Sequence, residues 1–324
     1  MTSKKRSLTG IQPSGTPHLG NWLGAIEPAL ALTEQHEGFY FIASYHALTT
    51  SRDAALLRER ILDVACTWLA LGLDPSRTVL WAQHAIPEVC ELSWILSCVT
   101  NKTMLDKAHA FKDAVAKQRK FIGVGLYTYP MLMAADILAF DAQVVPVGQD
   151  QKQHVEMTRN MAQTLNHLFG EMLVVPEPLV QQNVAVVPGI DGQKMSKSYD
   201  NTIPLFLPPK KLRKRIMAIK TDCTPMESPK DPTRCNIFHL YKLFATADQI
   251  AELGQRYQAG GLGYGHAKQA LFECIDERLA PARDRYMDLR SRPDDVHDIL
   301  SSGAARARTV ARATLDRVRS GIGL

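Results

Sequence analysis

Along the chain, apolar and polar positions fall into two regimes. Up to about residue 204, short apolar runs alternate with longer stretches of helical spacing, the pattern of an α/β domain. Phe39-Tyr40-Phe41-Ile42-Ala43 and Thr78-Val79-Leu80-Trp81-Ala82 read as strands. Between them, Asp53 to Leu71 sets Leu56, Leu57, Ile61, Val64, Trp68 and Leu71 on one helical face, and Gly72 supplies a stop. Leu92 to Ala139 is largely helical, broken around Phe121 to Gly125 and by Pro130. Gln143 to Val147 is extended, and Gln153 to Phe169 is a further helix. The stretch Ile203-Pro204-Leu205-Phe206-Leu207-Pro208-Pro209 then marks a boundary. Beyond it, Lys210–Lys220, Phe238–Ala245, Ala247–Gln258, Gly265–Arg290 and Asp294–Arg319 all carry helical spacing.

Composition narrows the class. Hydrophobic residues make up 45% and charged residues 22% of the 324, which excludes a disordered chain and allows a sizeable core with a second, smaller domain. The basic start, Met1 to Ser7, leads into no apolar run long enough for a signal peptide or a membrane span, so a cytoplasmic protein is expected. The six cysteines form no Cys-x-x-Cys pair, which points to reduced thiols and away from a metal cluster. A net charge of +5 permits a polyanionic partner without requiring one. Lys210-Lys211-Leu212-Arg213-Lys214-Arg215 and Arg306, Arg308, Arg312, Arg317 and Arg319 are candidate phosphate contacts, set against the plainer reading of solvated helix faces.

Three strings carry chemistry. Gly10-Ile11-Gln12-Pro13-Ser14-Gly15-Thr16-Pro17-His18-Leu19-Gly20-Asn21 is a Gly/Pro turn leading into the helix-like Trp22 to Thr33, and offers backbone N–H groups to anionic oxygens. Gly20 allows close approach of a nucleotide ring, and His18 and Asn21 are neutral donors suited to phosphate. Lys194-Met195-Ser196-Lys197-Ser198 follows the flexible Gly189-Ile190-Asp191-Gly192. Two lysines on such a loop suit a clamp that neutralises a triphosphate while charge moves onto pyrophosphate. The third string runs from Tyr129 to Leu138 and resumes from Val145 to His154. Asp136, one carboxylate in an apolar helix, needs a partner: a neighbouring arginine, a backbone cap, or a ligand N–H donor such as an indole beside Met133 and Val147.

His18-Leu19-Gly20-Asn21 resembles the His-x-Gly-His signature of class I aminoacyl-tRNA synthetases, and Lys194 to Ser198 matches their second signature letter for letter. The Tyr129–Leu138 and Val145–His154 strings, with Gly10–Gly15 and Tyr45-His46-Ala47-Leu48-Thr49, resemble the tryptophan-specific members. The resemblance runs from about Thr9 to the C-terminus. It implies a Rossmann-like parallel-sheet catalytic domain over 1–204, with a dimer-forming helical insertion at about 92–140. A smaller all-helical C-terminal domain over 205–324 would recognise the tRNA anticodon, its last helix packing back on the catalytic domain.

It further implies that Asp136 accepts the indole N–H, that Met133 and Val147 line the ring pocket, and that Gln151, Tyr129 and His46 hold the polar end of tryptophan. Gln12 would lie between carboxylate and α-phosphate. Ser14, His18, Gly20 and Asn21 would meet ATP, Asp150 would face adenosine, and Lys194, Met195, Ser196 and Lys197 would form the pyrophosphate loop. Lys112 resembles a phosphate-approaching lysine, although Ala114 stands where the family often has a second one, leaving Lys117 or Lys120 as substitutes. ATP, Mg²⁺, L-tryptophan, tRNA(Trp) and a homodimer partner follow from the same likeness. A tyrosine-specific ligase, a synthetase-like binding module and a nucleotidylyltransferase are the rival readings. The first would need a Tyr and Asp pair that reads a phenol, and the last would not need so long a helical C-terminal part.

Overall fold

The computed structural model describes residues 4–116, 118, 122–180 and 187–324, with the side chains of residues 109, 110 and 150 left aside. Strands β1 (Arg6–Ile11), β2 (Glu37–Ile42), β3 (Val79–Ala82), β4 (Val144–Val147) and β5 (Glu177–Val180) form one parallel sheet in the order β3-β2-β1-β4-β5. Register runs Leu8 to Phe39 to Val79 across the first three. Because the chain builds outward from β1 on one side and then crosses to β4 on the other, the strand order reverses between β1 and β4. Parallel sheets bind ligands in the crevice that opens there, beyond the carboxyl ends of the strands.

The helices in chain order begin with α1 (Leu19–Asn21), α2 (Glu27–Ala31), α3 (Ser44–Ala47), α4 (Ala54–Ala70) and α5 (Glu88–Val99). α6 (Lys102–Leu105), α7 (His109–Ala116), α8 (Val124–Leu138) and α9 (Lys152–Phe169) follow. The C-terminal part adds α10 (Pro209–Met217), α11 (Asn236–Tyr241), α12 (Ala247–Ala259), α13 (Tyr264–Ser291) and α14 (Pro293–Ile322).

Alternation along the strands sorts side chains into two cores, one on each face of the sheet. Phe39, Phe41, Val79 and Trp81 meet Leu92 and Leu96 of α5, Ile137 of α8, Met161 of α9 and Leu315 of α14. Tyr40, Ile42 and Leu80 meet Val64 and Trp68 of α4, and that core continues without a break into Leu212, Leu240, Leu271 and Ile275 of the C-terminal helices. Phe41 stacks on Trp81 at 5.7 Å on one face, and Tyr40 lies 4.8 Å from Trp68 on the other. A sheet buried on both faces explains why β2 and β3 read as continuous apolar runs.

Several sequence expectations are corrected. Pro130 lies inside α8 instead of breaking it. A mid-helix proline costs about 3 kcal/mol, and the burial of Ala134 to Leu138 against the first core offsets that cost. The expected helix at Trp22–Thr33 is composite, with a π-helical turn at Trp22–Ile26 between α1 and α2. β1 is interrupted by Arg6, Ser7 and Thr9, and β5 is four residues long with Pro178 in it, so neither reads as a strand in the sequence. The α14 arginines, candidates for phosphate contact, are engaged within the chain. Buried Glu88 accepts from Arg308 Nε at 2.7 Å and Arg312 Nε at 3.0 Å, and Arg319 meets Glu91 at 2.6 Å. Arg317 meets Asp141 at 2.6 Å, and Arg306 donates to the carbonyls of Pro75 and Thr78 at 3.0 and 2.9 Å.

These pairs hold α14 against β3 and α5, and closest approach falls at Gly303. A Cβ there would stand 1.9 Å from the carbonyl oxygen of Leu80, a backbone atom of β3, which is hydrogen-bonded to β2 along its length and buried. Gly303→Ala is expected to lower stability by about 2–3 kcal/mol, read as a shift of the urea midpoint at unchanged slope. A midpoint within error of the parent would show that α14 has room to lift off the sheet.

Candidate active site

A cavity of about 500 Å³ opens at the switch point. Four elements deliver its polar groups. β1 runs out into Gln12, β2 into α3 with His46, and β4 into Val147, Gly148 and Gln151. α8 turns Tyr129, Met133 and Asp136 inward, spaced four and three apart so that they share one face. All seven residues expected around an amino acid, Gln12, His46, Tyr129, Met133, Asp136, Val147 and Gln151, line this one space.

Asp136 is 1% exposed and holds its carboxylate through two partners that differ from the arginine or cap weighed for it. His46 Nε2 lies 2.9 Å from Oδ2, and Gln83 Nε2 donates to both oxygens at 2.8 and 2.7 Å. Burial drives the Asp136 pKa above the usual carboxylate range, while the His46 and Gln83 hydrogen bonds pull it back. Gln83 is itself buried, and its Oε1 accepts the backbone N–H of Tyr45 at 2.8 Å. His46 passes the link on, because its carbonyl accepts from Gln12 Nε2 at 3.2 Å. Sequence reasoning missed Gln83; the available signal was a polar residue immediately past the carboxyl end of β3. Tyr129 gives its hydroxyl to the ring of buried His154, and burial lifts its pKa to about 12.

The two signature loops meet beside this cavity. His18 is buried, and desolvation, helped by the charge of Lys197, lowers its pKa to about 4, so the ring is neutral at physiological pH. Its Nδ1 is buried without a hydrogen-bond partner, and its backbone N–H donates to Asn21 Oδ1 at 3.1 Å. A side chain at Gly20 would meet His18 Nδ1 at 3.0 Å and Met195 Cβ at 3.5 Å, so glycine is what lets the loops touch.

From the second loop, Lys197 Nζ reaches the carbonyl of Gly15 at 2.9 Å and Ser14 Oγ at 3.4 Å. Burial, with repulsion from Arg60, lowers the Lys197 pKa to about 8. Met195 is buried, Ser196 caps the turn Lys197–Tyr199 through the N–H of Ser198, and Lys194 is exposed. Asn201, a second residue sequence reasoning passed over, is 1% exposed and fixes the base of the loop. It donates to Asp191 Oδ1 and the Lys194 carbonyl at 2.8 and 3.1 Å and accepts the Ser196 N–H at 2.7 Å. Lys112 is exposed on α7, outside the cavity lining. Asp150 sits in the turn Gln149–Gln151 with its side chain outside the described part, and Lys117 and Lys120 lie outside the described residues.

A parallel sheet that reverses order at its cavity, with a Gly/Pro turn and a lysine loop joined there, places the molecule among nucleotide-binding α/β enzymes. The chain belongs to the class I tRNA synthetases of the tryptophan and tyrosine (W and Y) family, whose model matches residues 2–280. It is 52% identical to a tryptophan–tRNA ligase of Rhodopirellula baltica over 98% of this chain and 99% of that one. It is 48% identical to a tryptophan–tRNA ligase of Pseudomonas aeruginosa over 98% of this chain and 74% of that one. Among solved structures it resembles tryptophanyl-tRNA synthetase from Campylobacter jejuni, complexed with ADP and tryptophan. That match has a TM-score of 0.93 and 46% identity over 98% of this chain and 100% of the other.

Two titrations test the electrostatics of the site. Gln83→Met removes a donor that favours the ionised carboxylate, so the Asp136 pKa, followed by carboxyl ¹³C NMR, rises above that of the parent; a fall or no change would deny Gln83 this role. Competitive amine labelling is expected to give Lys197 a midpoint near pH 8, against about 10.4 for an ordinary lysine. Its charge is complete below that value and lost above it.

Proposed function

We infer that the chain joins tryptophan to its tRNA in two steps, and the observation that carries this is the buried, partnered carboxylate of Asp136 facing an apolar cavity. A carboxylate has about four lone-pair sites. Gln83 and His46 engage part of this capacity, and the rest can accept an indole N–H while Met133 and Val147 border the ring. Gln151, Gln12 and Tyr129, which line the same cavity, would hold the ammonium and carboxylate end. His46, whose Nε2 faces Asp136, is better suited to hold that carboxylate than the substrate's polar end.

ATP would lie across the first loop, where Ser14, Gly20, Asn21 and the unpartnered Nδ1 of His18 stand. Asp150 is assigned to the adenosine side. Lys197 would leave the neutral oxygens of Gly15 and Ser14 for the β- and γ-phosphates, joined by Lys194, with Met195 and Ser196 shaping the loop and Lys112 approaching from α7. The tryptophan carboxylate attacks the α-phosphorus, the bond to the bridging β-oxygen breaks, and pyrophosphate leaves. The 2′-hydroxyl of the terminal adenosine of tRNA(Trp) then attacks the adenylate carbonyl, and AMP leaves. No protein nucleophile is needed; positioning and relief of charge on pyrophosphate carry the rate.

Among the described residues, no three His, Cys, Asp or Glu side chains are grouped to hold a metal ion. Mg²⁺ would therefore be carried by the triphosphate, and no step is assigned to it. We assign residues 1–204 to catalysis, with the helices at 92–140 as the homodimer contact. Trp94 of α5 is 71% exposed and Val124 of α8 is 76% exposed, an unusual solvent face for such side chains. Residues 205–324 would recognise the anticodon, with Lys210, Lys211 and Lys214 of α10 as the exposed basic face for tRNA. No helix among the described residues is long and apolar enough to cross a membrane, which is compatible with action in the cytoplasm.

The test is exchange of labelled pyrophosphate into ATP with tryptophan, tyrosine or phenylalanine. Exchange is expected with tryptophan alone. Asp136→Asn should lose about 100-fold or more in kcat/KM for tryptophan, since a buried site built for an N–H donor discriminates steeply, with the KM for ATP nearly unchanged. Because the Asp136 pKa is raised, kcat/KM for tryptophan should fall as pH descends through that value, the protonated acid losing acceptor capacity, and Asp136→Asn should flatten this limb. Exchange supported by tyrosine, or by none of the three, would sink the assignment.

A further inference from the structure

A second cavity, of about 540 Å³, lies behind the same turn that braces Asp136. Its walls come from α4, from the end of β3 with the short turn Gln83–Ala85, and from α13 and α14. It shares no lining residue with the first. Ile61, Leu62, Leu300 and Ala304 give it an apolar floor, and Arg58, Arg290, His84 and His297 give it a basic rim. One carboxylate, Glu59, lines it, 63% exposed and 3.7 Å from Arg290 Nη2. Arg290 Nη1 is buried with no hydrogen-bond partner. That atom has no surface open to the cavity, so what the cavity offers an anion is the charge of the guanidinium, balanced in part by Glu59 and Asp63.

We propose that this cavity binds a small phosphate monoester carried on a flat apolar group, and that its occupant tunes tryptophan binding through the Gln83–Ala85 turn. The proposal goes beyond the ligase reading in its binding half and rests on it in its coupling half. The planar forks of Arg58 and Arg290 match phosphate oxygens, and His84 and His297 add donors at the rim. The floor between Leu62 and Leu300 suits an aromatic or nucleobase plane.

Coupling follows from adjacency. His84 lines the second cavity and lies 2.9 Å from Ser44 Oγ through Nδ1, while its backbone N–H donates to the same oxygen at 3.1 Å. Gln83, next to it, holds Asp136 in the first cavity and the N–H of Tyr45. A ligand that draws His84 toward a phosphate shifts the residue that orients the indole acceptor, and by linkage tryptophan shifts that ligand's affinity equally.

Phenyl phosphate is the probe, titrated by calorimetry with the substrate site filled by a non-hydrolysable tryptophanyl-adenylate analogue, so that ATP-site binding does not contribute. Saturable binding is expected, with phenol and inorganic phosphate each at least tenfold weaker. Arg290→Gln should weaken it tenfold or more. Ser301→Trp, which fills the cavity from an exposed lining position and leaves the paired groups untouched, should abolish it while circular dichroism and tryptophan-dependent exchange stay normal. Competition by AMP or by deacylated tRNA then tells a free nucleotide from an RNA end. No saturable binding, or binding that Ser301→Trp leaves intact, overturns the site. In protein without the analogue, phenyl phosphate should change the tryptophan Kd at least twofold in the parent and not in Ser301→Trp. Equal effects in both would mean competition at the substrate site and would overturn the coupling alone, whatever the exchange assay says about the ligase.

Discussion

The carboxylate of Asp136 is the costly object around which the catalytic half is arranged. Withdrawing such a charge from water carries a penalty of several kcal/mol unless hydrogen bonds replace the lost solvent. Here the replacements come from two other elements, His46 from the end of β2 and Gln83 from the end of β3. Those two residues and α8 converge only because the β1, β2 and β3 register brings the strand ends level with one another. Its pKa is raised by burial and drawn back by those donors, and on the proposed reading the carboxylate takes one more N–H, which an amino acid without that group would leave unmet. On that reading, selectivity and folding draw on the same hydrogen bonds.

Lys197 presents the opposite case, a charge whose present partners are poor. Its ammonium meets one carbonyl and one hydroxyl, in a half-buried place where burial and Arg60 both lower its pKa. Neutral oxygens compensate an ammonium less than phosphate does, so transfer to the triphosphate of the proposed function would be downhill. Asn201 fixes the base of the loop by three hydrogen bonds, which would hold it in place if the lysine exchanged partners. The neutral ring of His18, facing the same space, adds a polar atom without adding repulsion among cations.

Much of this was legible in the sequence where chemistry is written in local strings. The apolar runs of β2 and β3, the helix over Ala54–Ala70 and the two signature loops stand where periodicity and motif put them. All seven residues expected around an amino acid line one cavity because the ends of three of the five strands and one helix face converge there. What stayed hidden depends on long-range pairing. Gln83 lies 53 positions from Asp136, and nothing local tells a strand-end glutamine that braces a carboxylate from one in solvent. The α14 arginines looked like a nucleic-acid surface because their acidic partners, Glu88 and Glu91, are more than 200 positions away. Pro130 read as a break because propensity cannot see the buried turn of helix that follows it.

The same long-range pairing bears on how the C-terminal helices could speak to the site. Apolar residues of α10 to α13 continue the core on one face of the sheet, so these helices cannot tilt as a free body without shearing that core. Two contacts from α13 reach the loops. Arg278 stands 4.7 Å over the ring of Trp22, in the π-helical turn just past the first signature, and pairs with Glu27. Tyr286 donates to Asp63, whose charge acts on Lys197, and stacks on Phe206 at 4.2 Å in the segment after the second signature. A small rotation of α13 would thus be felt at both loops at once, through an arginine at one and a tyrosine at the other. A π-helical turn, with its looser backbone hydrogen bonds, is the part of the first segment best able to absorb such a movement.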